Sequence, residues 1–196
     1  VMVDGGNAGD IDLNIAKISD MQVGSVGIYL DSVRAIEVGD VTTTGELEVR
    51  VVSGDLVFSG DQSALRSILE VQEGRLSQIS GKTLTTTGVE GIGGSGNVSV
   101  TALRDISLST ISVGNGDVEM TSSLGGILDG TLADELGSEN LIINNGELVT
   151  MSATGIGTHY EDGDVDMDVI DIDNANATEG GVFIGLTGRE GVLATI

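Results

Sequence analysis

The chain has 196 residues, with 31 acidic against 8 basic side chains and a formal net charge of −23. That balance excludes nucleic acid and anionic membrane surfaces as partners, because both are held by clustered Lys and Arg. The absence of Cys excludes disulfides and thiolate metal sites. With no run of about 18 apolar residues, a transmembrane helix is not expected, and Val1-Met2-Val3-Asp4 does not read as a signal peptide.

The apolar share is 39%, yet aromatics make up only 2% and Pro is absent, while Gly numbers 31. Globular cores ordinarily use large rings to fill the space between layers. A thin core built of Val, Ile and Leu, each stacked on a like residue of the next rung, does not need them. Glycine supplies the corners of such a winding chain, and the lack of Pro leaves every strand amide free to donate.

In chain order, apolar–any–apolar doublets anchor the reading. Ile28-Tyr29-Leu30 is followed by Ile36-Glu37-Val38, and Leu47-Glu48-Val49 by Leu56-Val57-Phe58. The phrase returns as Val98-Ser99-Val100 with Ile106-Ser107-Leu108, and as Val118-Glu119-Met120 with Ile127-Leu128. Alternation marks strands with one buried face. Recurrence at roughly 17–24 residues marks a coiled stack in which each turn buries its apolar edge on its neighbours.

Coils are expected to start near Ile11, Ile28, Leu47, Leu69, Val98, Val118, Ile142, Val165 and Val182. The fold class predicted is all-β: a right-handed parallel β-helix, or β-solenoid, of about nine coils with short loop or helical excursions. At the usual strand spacing of ~4.8 Å the stack is roughly 40 Å long. A third strand per coil is visible in places, as at Ile111-Ser112-Val113.

A competing register exists. Lys17, Arg34, Arg50, Arg66 and Lys82 recur at about 16 residues, as they would in shorter coils carrying one basic stripe. The doublets outrank it, because core burial outweighs an exposed row of like charges.

Excursions are expected at 59–67 as a short helical turn or loop, at 87–96 as a glycine-rich loop, and at 129–139 as a single helical turn. Gly91-Ile92-Gly93 and Gly155-Ile156-Gly157 echo one another 64 residues apart, suggesting a duplicated unit of about three coils. The chain runs out at 191–196 in a bare apolar strand. Residues 1–196 are therefore expected to be one segment of a longer solenoid, or a subunit whose ends are covered by other copies.

Asn140-Leu141-Ile142-Ile143-Asn144-Asn145-Gly146-Glu147-Leu148 with Ala153-Thr154-Gly155-Ile156-Gly157-Thr158 resembles a phrase of very large bacterial surface proteins. Ala175-Asn176-Ala177-Thr178-Glu179-Gly180-Gly181-Val182-Phe183-Ile184 does so too. These are the filamentous-haemagglutinin-like giant adhesins, and the resemblance covers most of residues 97–196. It implies a β-helical shaft, an extracellular or cell-surface location, no catalytic residues, and copies of itself or surface glycans as partners. The acidity and the aspartate run at 162–173 depart from that pattern.

That run alternates Asp with apolar residues, which places Asp164, Asp166 and Asp168 on one face of an extended strand, about 6.6 Å apart. Hard cations take several carboxylate and carbonyl oxygens at once, so these three are the candidate calcium ligands. No other cofactor is implied. The calcium nonapeptide pattern fails, because Val98 stands where its aspartate belongs, and no EF-hand loop is present.

A sugar-cleaving site needs paired carboxylates, usually beside basic residues and aromatic platforms, and neither companion accompanies the acids here. His159, the sole histidine, has no Ser, Cys or metal-ligand companion in the sequence. The reading is therefore non-catalytic. Thr42-Thr43-Thr44 and Thr85-Thr86-Thr87 read as strand ends rather than an ice-matching array, and the sequons at Asn97 and Asn176 carry little weight.

Overall fold

The structure is a computed structural model that describes residues 11–89, 95–131, 139–158, 163–187 and 192–193. Among them no helix occurs, and the strands in chain order are as follows. The first seven are β1 (Ile11–Leu13), β2 (Lys17–Val23), β3 (Ile28–Ser32), β4 (Ile36–Thr43), β5 (Glu46–Val51), β6 (Leu56–Phe58) and β7 (Gln62–Ala64). Next come β8 (Arg66–Val71), β9 (Leu76–Gln78), β10 (Thr83–Thr86), β11 (Val98–Ala102), β12 (Ile106–Leu108), β13 (Thr110–Asn115), β14 (Val118–Ser122) and β15 (Ile127–Asp129). The last are β16 (Leu141–Asn145), β17 (Leu148–Ala153), β18 (Val165–Asp168), β19 (Asp171–Ile172), β20 (Ala175–Ala177), β21 (Ile184–Leu186) and β22 (Val192–Leu193).

Every pairing is parallel, and the strands form two sheets. The first runs β1-β3-β5-β8-β11-β14-β17-β19-β22, with β20 also on β17. The second runs β15-β12-β9-β6-β4-β7-β10-β13-β16-β18-β21, with β2 on β4. This all-β, all-parallel arrangement is compatible with a β-helix or solenoid. The order of the second sheet turns on one long strand. The start of β4 pairs with β6 (Ile36↔Leu56), while its end pairs with β7 (Val41↔Gln62). Beyond β4, therefore, the second sheet continues as two separate ladders, giving three short strands per circuit.

Alternation sets the core. One column of the first sheet runs Leu30–Val49–Leu69–Val100–Met120–Met151–Ala175, all buried. A column of the second runs Ile36–Leu56–Leu76–Ile106–Ile127–Ile156, also buried, and reaches Val182 through isolated bridges. Each such side chain contributes roughly 1.5–3 kcal/mol by leaving water. Phe58 is the largest fully buried side chain, so aliphatic stacking does the rest.

The expected coil starts need correction in the second half. Ile28, Leu47, Val98 and Val118 do share the first sheet, but Ile142 and Val165 lie in the second. Val182 bridges Ile156 there as well. The first-sheet partner of Val118 is Leu148, and that of Leu148 is Ile172. Leu69 is two residues out of step, since Ser67 occupies the place opposite Leu47 and Val98. Segment 59–67, expected to be a helical turn or loop, contains β7 instead. Its inward pattern is hidden in the sequence because the buried positions are Gln62 and Ala64. The Gln62 Nε2 donates to Gly39 O at 3.0 Å and Gly60 O at 2.6 Å, which is why an amide is tolerated inside.

The 16-residue basic register is not the one adopted. Lys17 is opposite Glu37, Arg50 is opposite Asp31 and Glu70, and Arg66 is opposite Glu46. Residues 90–94, 132–138, His159 and Tyr160 lie outside the described residues. With them fall the centre of the expected glycine loop, the expected helical turn and the first half of the 64-residue echo.

Candidate metal centre

The corners decide where the acids go. At one corner, Asp40 Oδ1 accepts the Asp61 amide at 2.8 Å, and Asp61 Oδ1 accepts the Thr83 amide at 3.0 Å. At a second, Asp55 Oδ1 accepts from Arg75 N at 2.9 Å, and Asp105 Oδ1 accepts from Gly126 N at 3.0 Å. At the third, Asn97 Oδ1 accepts from Asp117 N at 2.8 Å and Asp117 Oδ1 from Glu147 N at 3.3 Å. Each side chain reaches one coil onward and satisfies a backbone donor where the strand ladder is interrupted. The residue before several of these is Gly. A Cβ on Gly146 would come to 2.0 Å from Gly116 O, so the stacked corners tolerate no side chain there.

A Gly-Asx pair is thus the corner signal. The sequence places Gly, Asn, Asp and Ser at the corners, without singling out the Gly-Asx pair. The repeated Gly39-Asp40, Gly60-Asp61, Gly54-Asp55, Gly96-Asn97 and Gly116-Asp117 could have revealed it.

The aspartate run at 162–173 is not one straight strand. Its described part is β18 followed by a bend at Ile170 and then β19, so the run is divided between the two sheets. Asp164, Asp166 and Asp168 stay with the second sheet and are half-buried. Asp166 is paired with Gly185 on the next coil. A Cβ built on Gly185 would meet Asp166 Oδ1 at 2.0 Å and Asp164 Oδ2 at 2.7 Å, so both carboxylates fold over that bare position. Burial, and then Asp164, Asp129 and Glu139, push the Asp166 carboxyl above its ordinary value. Asp168, on the same face, is the register partner of Ile142 on the preceding coil.

The three carboxylates that do converge are Glu147, Asp171 and Asp173, with one oxygen of each within 4.8 Å of the others. Their convergence follows from register. Leu148 pairs with Ile172, so the residue before each, Glu147 and Asp171, stand on adjacent rungs. Asp173 N donates to Leu148 O at 2.9 Å, which brings its side chain to the same place. Asp171 Oδ1 is buried and accepts no hydrogen bond. Asp173 first, then burial, Asp117 and Asp171, raise the Glu147 carboxyl above its ordinary value. None of Glu147, Asp171 and Asp173 is among the expected ligands, and the sequence separates Glu147 from the two aspartates by 24 residues or more. Three such oxygens form part of the six to eight that Ca²⁺ takes, with backbone or water supplying the remainder.

No family model matches the chain, and no curated protein or solved structure matches it either.

Proposed function

We propose that the chain is a section of a right-handed parallel β-helix serving as a rigid, non-catalytic shaft in an extracellular bacterial surface fibre or giant adhesin. The observation that carries the reading is the unbroken ladder. Strand pairs with strand from β1 to β22 in the first sheet, and inward columns run through circuit after circuit. Such a ladder resists bending and cleavage, because each strand is bonded on both sides and its apolar face is covered. The hand is supported by strand chirality, since parallel crossover connections are right-handed in nearly every known case. The resemblance of residues 97–196 to filamentous-haemagglutinin-like shafts points the same way.

The test uses the full-length protein on the cells that make it. An antibody fragment against the exposed corner at Val33 and Val52 should label intact cells along thin filaments. Label appearing only after cell lysis would overturn the reading.

A second reading is favoured by the converging Glu147, Asp171 and Asp173. In it the segment is an acidic, calcium-binding matrix or filament subunit that self-assembles or binds glycans through bridging cations. Calcium-dependent association that a chelator reverses separates it from the plain shaft.

A further inference from the structure

The dipeptide Asn-Gly occurs twice in the chain, as Asn115-Gly116 before Asp117 and as Asn145-Gly146 before Glu147. The fold stacks the two copies, because Asn115 at the end of β13 is the register partner of Asn145 at the end of β16. The corner requires both glycines. A Cβ on Gly116 would come to 2.4 Å from Gly96 C, and one on Gly146 to 2.0 Å from Gly116 O. Each asparagine is therefore followed by an amide that no side chain of its own residue shields.

Such a pair carries a reaction that needs only water. The glycine amide gives up its proton and its nitrogen attacks the asparagine Cγ. A C–N bond forms, the Cγ–Nδ2 bond breaks and ammonia leaves, closing a succinimide ring. Water then opens either ring C–N bond. One opening leaves an aspartyl residue, and the other leaves an isoaspartyl residue with an extra methylene in the main chain. Ring closure requires an uncommitted glycine amide and an asparagine free to rotate.

The two copies differ in both requirements. The corner amides form a series, in which Gly96 N donates to Asn115 O at 2.8 Å and Gly116 N to Asn145 O at 3.0 Å. It stops at Gly146, whose amide finds no backbone acceptor among the described residues. Asn115 is half-buried and tied to both neighbouring coils, its Nδ2 donating to Thr87 O at 3.1 Å and its Oδ1 accepting Asn145 Nδ2 at 3.1 Å. Asn145 is exposed, and the coil beyond it pairs with β16 only at Leu141 and Ile142. A strand end bonded on one side opens at lower free energy than one bonded on both. We infer that Asn145 is a site of spontaneous deamidation, while the fold protects Asn115 in the same local sequence. Either product puts a new carboxylate two residues before Glu147. The isoaspartyl form also lengthens the corner that sets Glu147 beside Asp171.

The experiment incubates the whole chain in heavy-oxygen water, then digests it in ordinary water with a glutamate-specific protease. Cleavage after Glu119, Glu139 and Glu147 separates the two sites, and mass spectrometry reads the oxygen taken up on ring opening. In the folded chain, label should enter residues 140–147 roughly tenfold or more faster than the peptide ending at Glu119. In urea the two rates should converge. Isoaspartyl methyltransferase should modify the labelled 140–147 peptide. Asn140 and Asn144 share that peptide, so the variant N145Q, which cannot close the same ring, should take up no label there. Label persisting in N145Q would overturn the assignment. So would equal rates at the two sites in the folded chain, or no label at Asn145 over a period that labels the unfolded one.

Discussion

The two halves of the chain carry the same parallel ladders but balance charge differently. Seven of the eight basic residues fall between Lys17 and Arg104, and the next after Arg104 is Arg189. One first-sheet edge shows the contrast along a single column. It begins as Glu46 opposite Arg66, an ion pair between adjacent coils. It continues through Asn97, whose amide needs no counter-charge, and then becomes Asp117, Glu147 and Asp171. In the first half a coil's acid meets its neighbour's base, as in Lys17–Glu37 at 2.6 Å and Arg50–Glu70 at 3.4 Å. In the second half acid stacks on acid. The ladder of amides and aliphatic side chains is therefore what holds the fold, since it persists where the charge pairing stops.

The largest test of that claim is in the core. Leu47→Ala and Leu148→Ala remove fully buried side chains from one column on either side of the charge boundary. Each should cost about 2–5 kcal/mol, as large-to-small core changes do. Chemical denaturation should give similar losses for both. A loss at Leu148 far smaller than at Leu47 would mean that the second half is loosely packed. Calcium comes next. If Glu147, Asp171 and Asp173 take the ion, a calcium level about 100-fold above Kd should add about 2.7 kcal/mol. Thermal melting should show the gain, a chelator should remove it, and E147Q/D173N should not have it. An equal gain in that variant would rule these three carboxylates out as the site.

Acidity gives a smaller effect of opposite sign in the two regions. Glu147 and Asp166 in the second half are raised, Glu147 chiefly by Asp173 and Asp166 chiefly by burial. A raised carboxyl binds its proton more tightly folded than unfolded, so stability rises as pH falls from neutral towards the ordinary carboxylate range. Glu37 in the first half is lowered, first by its hydrogen bond from Lys17. Its contribution is present above the ordinary glutamate value of 4.5 and is lost as pH falls through the lowered one. Glu48 is the first-half exception, raised by burial and by Glu46. Hydrogen exchange between pH 7 and about pH 5 should therefore show protection growing most around β17 to β19. Uniform loss of protection over that range would contradict these assignments.

How much of this was legible in the sequence follows from what each residue type reports. Aliphatic alternation at Ile28-Tyr29-Leu30 or Val98-Ser99-Val100 names a strand and its buried face directly. It does not say which of three faces the strand joins, so Ile142 and Val165 looked equivalent to Val118 although they lie in the other sheet. Strands whose inward residues are Gln, Ser or Ala, such as β7, carry no alternation to detect. The acids were the hardest to assign. An Asp at a corner, an Asp on a strand face and a possible ligand have one letter, and only the register of adjacent coils tells them apart. Asp166 and Asp168 were legible as neighbours along one strand. Glu147 beside Asp171 needed the Leu148↔Ile172 pairing, which connects residues 24 apart.

The smallest expected effect is also the sharpest version of the contrast, because it uses one column and predicts two signs. Arg66→Gln removes the partner of Glu46; the arginine is half exposed but the glutamate is largely covered, so a loss at the upper end of the range for exposed pairs, about 1 kcal/mol, is expected. Glu147→Gln in metal-free buffer removes a charge from among Asp117, Asp171 and Asp173, and should leave stability unchanged or slightly higher. Both changes should shrink in 1 M salt, where the screening length falls to about 3 Å. Because the two substitutions neutralise similarly placed edge side chains, a shared sign cannot come from the column's charge sequence. A loss at Glu147 in metal-free buffer would instead make that carboxylate an acceptor the fold depends on, like the corner aspartates.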